Sequence, residues 1–237
     1  MSDDKVEPWN SSYMRKENYI FYPHEELVKF LNRYIRKRTG VDTFVDLIEG
    51  QHQPLTALDF GCGIGAGVRL LHEFGVDAYG VDISMVAIHQ AQTYARRSGP
   101  RIADRFTVIT PNQRLPFCDG EFDFFVSCGV LDSMPFVAAQ YNLQELARVT
   151  RKYGYLSLIA GDYRDFYEEE EVTGIHEANT VQSYFNYAKC EQLVATTDFT
   201  IRSCELVSRE QCDSSGKYNK KGRYHLVLER LFLTPAL

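Results

Sequence analysis

Glycines alternate with other residues over positions 61–67, directly after an apolar run that contains one acid, Asp59. Glycines let a backbone turn sharply and approach a ligand closely, and a helix that starts at such a turn points free N–H groups at the ligand. A second apolar run ends at Asp82, 21 residues after Gly61. A carboxylate at that point can accept hydrogen bonds from both hydroxyls of a ribose. The spacing therefore predicts a site for a ligand that contains a nucleoside.

The glycine pattern alone does not identify this ligand, because Gly61, Gly63 and Ala66 also satisfy the fingerprint of dinucleotide-binding enzymes. Asp59 favours S-adenosylmethionine (SAM), since a carboxylate just before the glycines would attract the ammonium group of a methionine and would repel a pyrophosphate. The alternation continues to Gly67. It leaves an open loop beside a bulky ligand, which also favours SAM.

Five stretches of the chain resemble class I SAM-dependent methyltransferases, in particular the branch that acts on small molecules. They occur in the same order and at the same spacing as in that family, across about residues 55–160. The resemblance implies a methyl transfer from SAM to an oxygen, nitrogen or carbon of a small molecule, with S-adenosylhomocysteine (SAH) as the product. The five stretches are residues 58–65, 80–84, 115–127, 129–135, and 145–149 together with Gly154.

The resemblance also implies which residues hold the cofactor. Asp82 binds the ribose, Asp59 and the glycine loop bind the methionine end, and Ile83 packs on the adenine. Relatives often carry an acid that holds the adenine amino group, whereas this chain has amides there, so we expect Asn112 or Gln113 to take that role. The predicted cofactor-binding residues are Asp59, Gly61, Cys62, Gly63, Gly65, Asp82, Ile83, Asn112, Gln113, Ser127 and Cys128.

Catalysis of methyl transfer depends mainly on alignment and exclusion of water, because a sulfonium is already an excellent leaving group. A hydroxyl or ammonium acceptor also benefits from a general base. We predict Asp132, His24 and His176 as candidate catalytic residues, with Tyr163 as a further candidate base. Each has a plainer interpretation: Asp132 as a helix cap, His24 as an exposed first-turn residue and His176 as part of a solvated loop.

The acceptor is not encoded in any motif that we recognise. Many relatives carry a pair of histidines where this chain has Asp132 and Ser133, so the substrates of those relatives do not transfer to it. Acidic and aromatic residues are frequent in the segment 162–180, which leaves the carboxyl end of a predicted strand. Ligands bind at such ends in open α/β sheets. This composition favours a cationic or sugar-like acceptor.

The order of apolar patterns predicts an α/β fold with a doubly wound, mostly parallel, seven-stranded Rossmann-like sheet. Residues 1–50 are expected to form an N-terminal helical cap or lid, and residues 51–237 the SAM-binding domain. By resemblance, the last two strands form an antiparallel pair at the sheet edge. Strands are predicted at 55–60, 76–82, 104–110, 122–128, 153–161, 199–208 and 223–233, and helices at 23–38, 41–48, 65–74, 84–97, 137–150 and 181–197, with residues 1–18 partly disordered.

Composition limits the remaining function classes. A net charge of −6 argues against a nucleic-acid partner, whose phosphates require clustered Lys and Arg. The N-terminus is polar and acidic, and no apolar stretch approaches 18 residues, so neither a signal peptide nor a membrane span is expected. The six cysteines show no metal-ligand spacing, which predicts no metal site and a cytoplasmic location. The oligomeric state stays open.

Two other functions remain compatible with these patterns. A nicotinamide-dependent oxidoreductase would use the same glycine fingerprint and would bind NADH. A non-catalytic SAM-binding protein would bind the cofactor without turnover.

Overall fold

The fold is described from a computed structural model, which covers residues 6–48, 54–98, 100–174 and 176–230. The predicted boundary at residue 50 falls within residues 49–53, outside the described residues. The strands of the described chain are β1 (Arg36–Arg38), β2 (Phe44–Asp46), β3 (Thr56–Phe60), β4 (Asp77–Asp82), β5 (Phe106–Val108), β6 (Phe122–Cys128), β7 (Thr150–Ile159), β8 (Glu169–Glu171), β9 (Val181–Ser183), β10 (Phe199–Cys212) and β11 (Tyr218–Arg230).

Seven of these strands form the central sheet, in the order β10-β11-β7-β6-β3-β4-β5. β3 pairs in parallel with both β4 and β6, and the outer strands β5 and β7 continue the parallel arrangement. β11 and β10 are antiparallel at one edge. The predicted fold class and edge pair are therefore confirmed. The strand order reverses beside β3, and this is the point at which open α/β sheets bind ligands.

Helices cover both faces of the sheet. The middle strands are buried on both sides, which is why they read as nearly continuous apolar runs rather than as alternating ones. One core layer packs under α2, α3 and α4, and the other under α6 and α7. The helices are α1 (Val6–Met14), α2 (Glu25–Phe30), α3 (Ala66–Glu73), α4 (Met85–Ser98), α5 (Pro100–Ala103), α6 (Phe136–Val149) and α7 (Tyr187–Val194).

The N-terminal region differs from the prediction in two ways. The helix predicted over 23–38 is shorter, because α2 passes into a π-helical turn at Leu31–Ile35 and then into β1. The helix predicted over 41–48 is wrong. Its residues Phe44–Asp46 form β2, which pairs with β1 and places Asp46 beside Arg36 in an ion pair. The apolar spacing of this segment fits both a helix and a hairpin, and the pairing with β1 decides between them.

The helix predicted over 181–197 is also partly wrong. Its first residues form β9, which pairs with β8. The helix α7 begins only after Asn186, whose side-chain oxygen accepts a hydrogen bond from the Lys189 N–H at 2.8 Å. Such a cap satisfies one of the free N–H groups of the first turn and fixes where the helix starts. The predicted last strand runs beyond residue 230, where the chain lies outside the described residues.

Within the described residues, the segment 6–18 is ordered to a greater extent than predicted. Residues Val6–Met14 form α1, which contacts α4 and the glycine loop. No helix among the described residues is long and apolar enough to cross a membrane.

Candidate active site

A cavity of about 370 Å³ lies at the carboxyl ends of β3, β4 and β6. Its wall includes Asp59 from β3, Asp82 from β4 and Cys128 from β6. These three strands are neighbours near the point where the strand order reverses. The parallel pairing of these strands is what brings together residues that are far apart in the sequence.

The glycine loop forms one wall of this cavity. Gly61 and Gly63 have φ angles of +74° and +53°, which a residue with a side chain rarely adopts. A Cβ atom at Gly63 would lie only 2.7 Å from the hydroxyl oxygen of Tyr13, so glycine also leaves the space in which α1 approaches the loop. The tight turn therefore requires glycine for its backbone conformation. At Gly63 it also requires glycine because Tyr13 of α1 approaches so closely.

Asp82 holds the glycine loop in place through a hydrogen bond to its backbone. Its carboxylate accepts hydrogen bonds from the N–H groups of Gly63, at 2.9 Å, and Ser84, at 2.8 Å. The side chain is 7% exposed, and burial raises its pKa to about 6, although the backbone N–H groups of Ser84, Gly63 and Ile83 act in the opposite direction. The carboxylate is thus held at the cavity with room to accept further hydrogen bonds, which the ribose hydroxyls would provide.

Asp59 is the second buried carboxylate of the wall. It is 5% exposed, and burial, followed by repulsion from Asp82, raises its pKa to about 7. Within the described residues, no ion pair involves either of these two acids. Two adjacent acids without a cation are costly in a protein interior, and a positively charged ligand would relieve that cost. A methionine ammonium and a sulfonium fit this wall.

The charge of the whole lining supports the same ligand. Among the lining residues that the structure describes, the acids are Asp59, Asp82, Asp132 and Glu177, whereas Arg223 is the only Arg and no Lys is present. Arg223 is itself paired with Asp132. A pyrophosphate, which needs cations or several free N–H groups, would meet mainly negative charge here.

The far end of the cavity carries the residues predicted for adenine. Asn112 and Ile83 line it, together with Ile109 and Pro111. Gln113, which is exposed like Asn112, is outside the lining. The Asn112 side-chain oxygen lies 3.5 Å from the amide nitrogen of Asn142. Of the two predicted amides, Asn112 is therefore the one that the fold brings to the cavity.

The segment around α1 covers the cavity. Trp9, Tyr13, Asn18 and Ile20 line it. The Ser84 hydroxyl donates a hydrogen bond to Asn10 at 2.7 Å, which ties α1 to the first turn of α4. The segment contributes an enclosing wall, and enclosure excludes water from a bound ligand.

The predicted catalytic residues lie in different places. His24 is exposed at the cavity rim, and burial of part of its ring, with Arg223 and Arg209 nearby, lowers its pKa below 6.5. A histidine of lowered pKa is neutral at neutral pH and can accept a proton. His176 is exposed and is not among the lining residues, although its neighbour Glu177 is. The further candidate, Tyr163, is not among them either.

Asp132 lies at the cavity but is already engaged. Its Oδ2 atom is 2.6 Å from Arg223 and accepts a hydrogen bond from the Ile159 N–H at 2.7 Å. Arg223 in turn donates a hydrogen bond to the Ser157 hydroxyl at 2.8 Å. The other carboxylate oxygen, Oδ1, is buried and has no hydrogen-bond partner among the described residues. This arrangement suits a fixed structural pair better than a base that must gain and lose a proton.

Most of the predicted cofactor residues meet at the cavity, but two others besides Gln113 do not line it. Gly65 begins α3 as its N-cap, and Ser127 is buried within β6. Sequence reasoning missed lining residues that come from distant segments: Asn142, Glu177, Gln182 and Arg223. They carry no local motif, because only α6, the loop after β8, β9 and the antiparallel strand β11 bring them to the site.

Within the described residues, no group of three or more His, Cys, Asp or Glu side chains is placed to hold a metal ion.

Comparison with known proteins matches the middle of the chain to a protein family. Residues 58–158 match the model of the family described as "Methyltransferase domain". A probable chloroplastic tocopherol O-methyltransferase of Oryza sativa subsp. japonica is 27% identical over 135 residues, which are 56% of this chain and 36% of that protein. The chain thus spans only about a third of the length of this curated relative.

Solved structures share the fold. A SAM-dependent methyltransferase of Methanosarcina mazei has a TM-score of 0.61 at 23% identity, over 74% of this chain and 92% of that one. The magnesium protoporphyrin IX methyltransferase of Synechocystis, crystallised with bound SAM, has a TM-score of 0.53 at 19% identity, over 75% and 70% of the two chains. The matched segment contains the glycine loop, Asp59 and Asp82. Residues 58–158 are therefore similar to a methyltransferase domain, and the chain shares the fold of solved SAM-dependent methyltransferases.

Proposed function

We propose that this protein transfers a methyl group from SAM to an oxygen, nitrogen or carbon atom of a small molecule. One observation carries the proposal. The carboxylates suited to the cofactor line the same cavity as a rim of residues that lie outside the matched segment 58–158. His24 and Gln182 belong to this rim. An acceptor bound there would lie in the same enclosed space as the cofactor, which is the requirement for direct transfer.

Each wall of the cavity then has a role. Asp82 binds the ribose, Asp59 the methionine ammonium, and Asn112 the adenine amino group. When bound, SAM supplies a methyl group on a good leaving group. The chain therefore needs mainly to position the acceptor and exclude water, and alignment of this kind is worth about 7–11 kcal/mol.

His24 is the general base that we propose for a hydroxyl or ammonium acceptor. It lies on the rim and is neutral at neutral pH because of its lowered pKa. A positioned base typically contributes about 10²–10⁴-fold to the rate. Asp132 has a positioning role instead, since it holds Arg223 and the end of β7.

The location that we propose is the cytoplasm. All six cysteines are free. Free thiols persist in a reducing compartment.

Calorimetric titrations with SAM and with NADH test the proposal. We expect SAM to bind and NADH not to bind, because of the acidic lining. Tight NADH binding would instead support an oxidoreductase.

Turnover is tested by following SAH release with a panel of hydroxyl, amine and carbon acceptors, comparing the native protein with the variant His24→Ala. We expect at least one acceptor to be methylated, and the variant to be slower by about 10²-fold or more while it still binds SAH. Cofactor binding without any turnover would favour a non-catalytic SAM-binding protein.

A further inference from the structure

Glu177 lines the cavity, and its carboxylate has no hydrogen-bond or ion-pair partner among the described residues. Asp59 and Asp82 face the cofactor, and Asp132 is neutralised by Arg223. Within the described residues, no hydrogen bond or ion pair reaches the carboxylate of Glu177; only its backbone groups are bonded. The acceptor half of the cavity therefore contains an uncompensated negative charge.

The backbone of Glu177 is held in an unfavourable conformation. Its φ angle is +56°, in the left-handed region that favours glycine. Three hydrogen bonds maintain it: the N–H donates to Glu17 at 3.1 Å, and the carbonyl accepts from the N–H and hydroxyl of Thr180, at 3.1 and 2.8 Å. Strained residues that their surroundings hold in this way are concentrated at ligand sites. The network fixes how the side chain of Glu177 is presented.

The groups near this carboxylate do not balance its charge. One such group is the Tyr13 hydroxyl, whose pKa is raised by burial, by Asp82 and, to a smaller extent, by the charge of Glu177. Tyr13 therefore remains neutral and can at most donate a hydrogen bond. The acidic and aromatic residues of the segment 162–180 favoured a cationic or sugar-like acceptor from the sequence. Of the described acids in this segment, only Glu177 lines the cavity.

We propose that Glu177 determines acceptor specificity by binding a protonated amino group, so that the acceptor is a small organic amine. The proposal rests on the proposed function, since it assigns the acceptor side of the same cavity. A carboxylate in a partly enclosed site binds an ammonium through a charge-assisted hydrogen bond, which is stronger than a neutral one.

The test uses two probes of the same size, benzylamine and benzyl alcohol, titrated calorimetrically into the protein saturated with SAH at neutral pH. We expect benzylamine to bind about tenfold more tightly or better. Glu177→Gln, which keeps the shape and all three backbone hydrogen bonds, should reduce its affinity to that of the alcohol. Glu171→Gln is the matched control: it removes the same charge from exposed β8, outside the lining, and should leave the preference for benzylamine unchanged.

Several results would overturn this inference. One is a native protein that binds the two probes equally well or binds neither. Another is a Glu177→Gln variant that still prefers benzylamine. A loss of SAH affinity as large as the loss of benzylamine affinity would assign Glu177 to the cofactor instead. If SAH itself fails to bind the native protein, the proposed function fails, which is distinct from all these outcomes.

Discussion

Asp59 illustrates how a single side chain can be unfavourable for folding and useful for binding. It is buried beside Asp82 without a cation, and its pKa is raised to about 7. Ionising such a group costs free energy in the apoprotein, and a bound ammonium would recover it.

We therefore predict that Asp59→Asn stabilises the apoprotein and weakens cofactor binding. At about pH 8, the free energy of unfolding should rise by on the order of 1–3 kcal/mol, because the buried charge is gone. SAM should bind about tenfold more weakly or worse, because its ammonium loses a charged partner. Denaturant unfolding and calorimetry measure the two effects.

Asp123→Asn is the control, since this buried acid already has a cation, Arg151, at 3.3 Å and also accepts a hydrogen bond from the Thr56 N–H. It should destabilise the protein. An Asp59→Asn variant that is no more stable than the native chain would contradict the electrostatic account of the cavity.

The environment of His24 makes a second prediction for a single side chain. Arg209 is one of the cations that lower its pKa, because a nearby positive charge disfavours the protonated ring. The variant Arg209→Gln should raise this pKa toward 6.5, as measured by NMR titration of the imidazole C–H signals. Arg202→Gln, on the same strand but paired with Glu229, should not change it. Equal titration of all three proteins would show that Arg209 does not lower this pKa, and a native pKa that is not below 6.5 would remove the support for His24 as a neutral base.

The segment carrying α1 is the element that closes the cavity, and it provides its own probe. Trp9 is the only Trp in the chain, and it lines the cavity. Glu17 connects this segment to the loop after β8, because its carboxylate accepts hydrogen bonds from the Ser12 hydroxyl, at 2.9 Å, and from the Glu177 N–H. Loosening this connection should expose Trp9.

We predict that Glu17→Gln increases the quenching of Trp9 fluorescence by acrylamide, and that SAH decreases the quenching in the native protein. Glu7→Gln, which makes the same charge change at an exposed position of α1, should behave like the native chain. If Glu17→Gln also shows native quenching, the hydrogen bond between Glu17 and the Glu177 N–H does not hold the α1 segment over the cavity.

The elements of the methyltransferase segment could be predicted because sequence-local signals specify them. Glycine turns, caps and continuous apolar runs are read within a few residues. Ser84 is one such cap, since its hydroxyl accepts a hydrogen bond from the Ala87 N–H at 3.2 Å at the start of α4. β2 and β9 were predicted as helices because short apolar patterns fit both structures. Only their pairing partners, far away or across a turn, select the strand.

The same distinction holds for the site. The side of the cavity proposed for the cofactor, with Asp59 and Asp82, follows from motif spacing, whereas Arg223 and Glu177 reach the cavity through β11 and a strained loop. No periodicity marks such residues in advance. The acceptor side of the cavity is therefore the part that required the structure.

For the molecule as a whole, the buried acids make stability depend on pH. Asp59 has a pKa of about 7 when folded and an ordinary value of 3.8, so between these values the folded state binds more protons. Its contribution to stability therefore falls as the pH rises, with no contribution below about pH 4 and the full cost above about pH 7. The difference in unfolding free energy between Asp59→Asn and the native protein should grow over this interval. A difference independent of pH would show that Asp59 does not titrate there.

The most direct test of the account is the affinity for SAH of the native protein and of Asp82→Ala. The assignment of the site depends on the claim that the Asp82 carboxylate binds a ribose and fixes the glycine loop through the Gly63 and Ser84 N–H groups. Calorimetry should show a loss of affinity of roughly 100-fold in the variant, since several charge-assisted hydrogen bonds disappear. If the variant binds SAH as tightly as the native protein, Asp82 does not hold the cofactor and the assignment of the cavity is wrong.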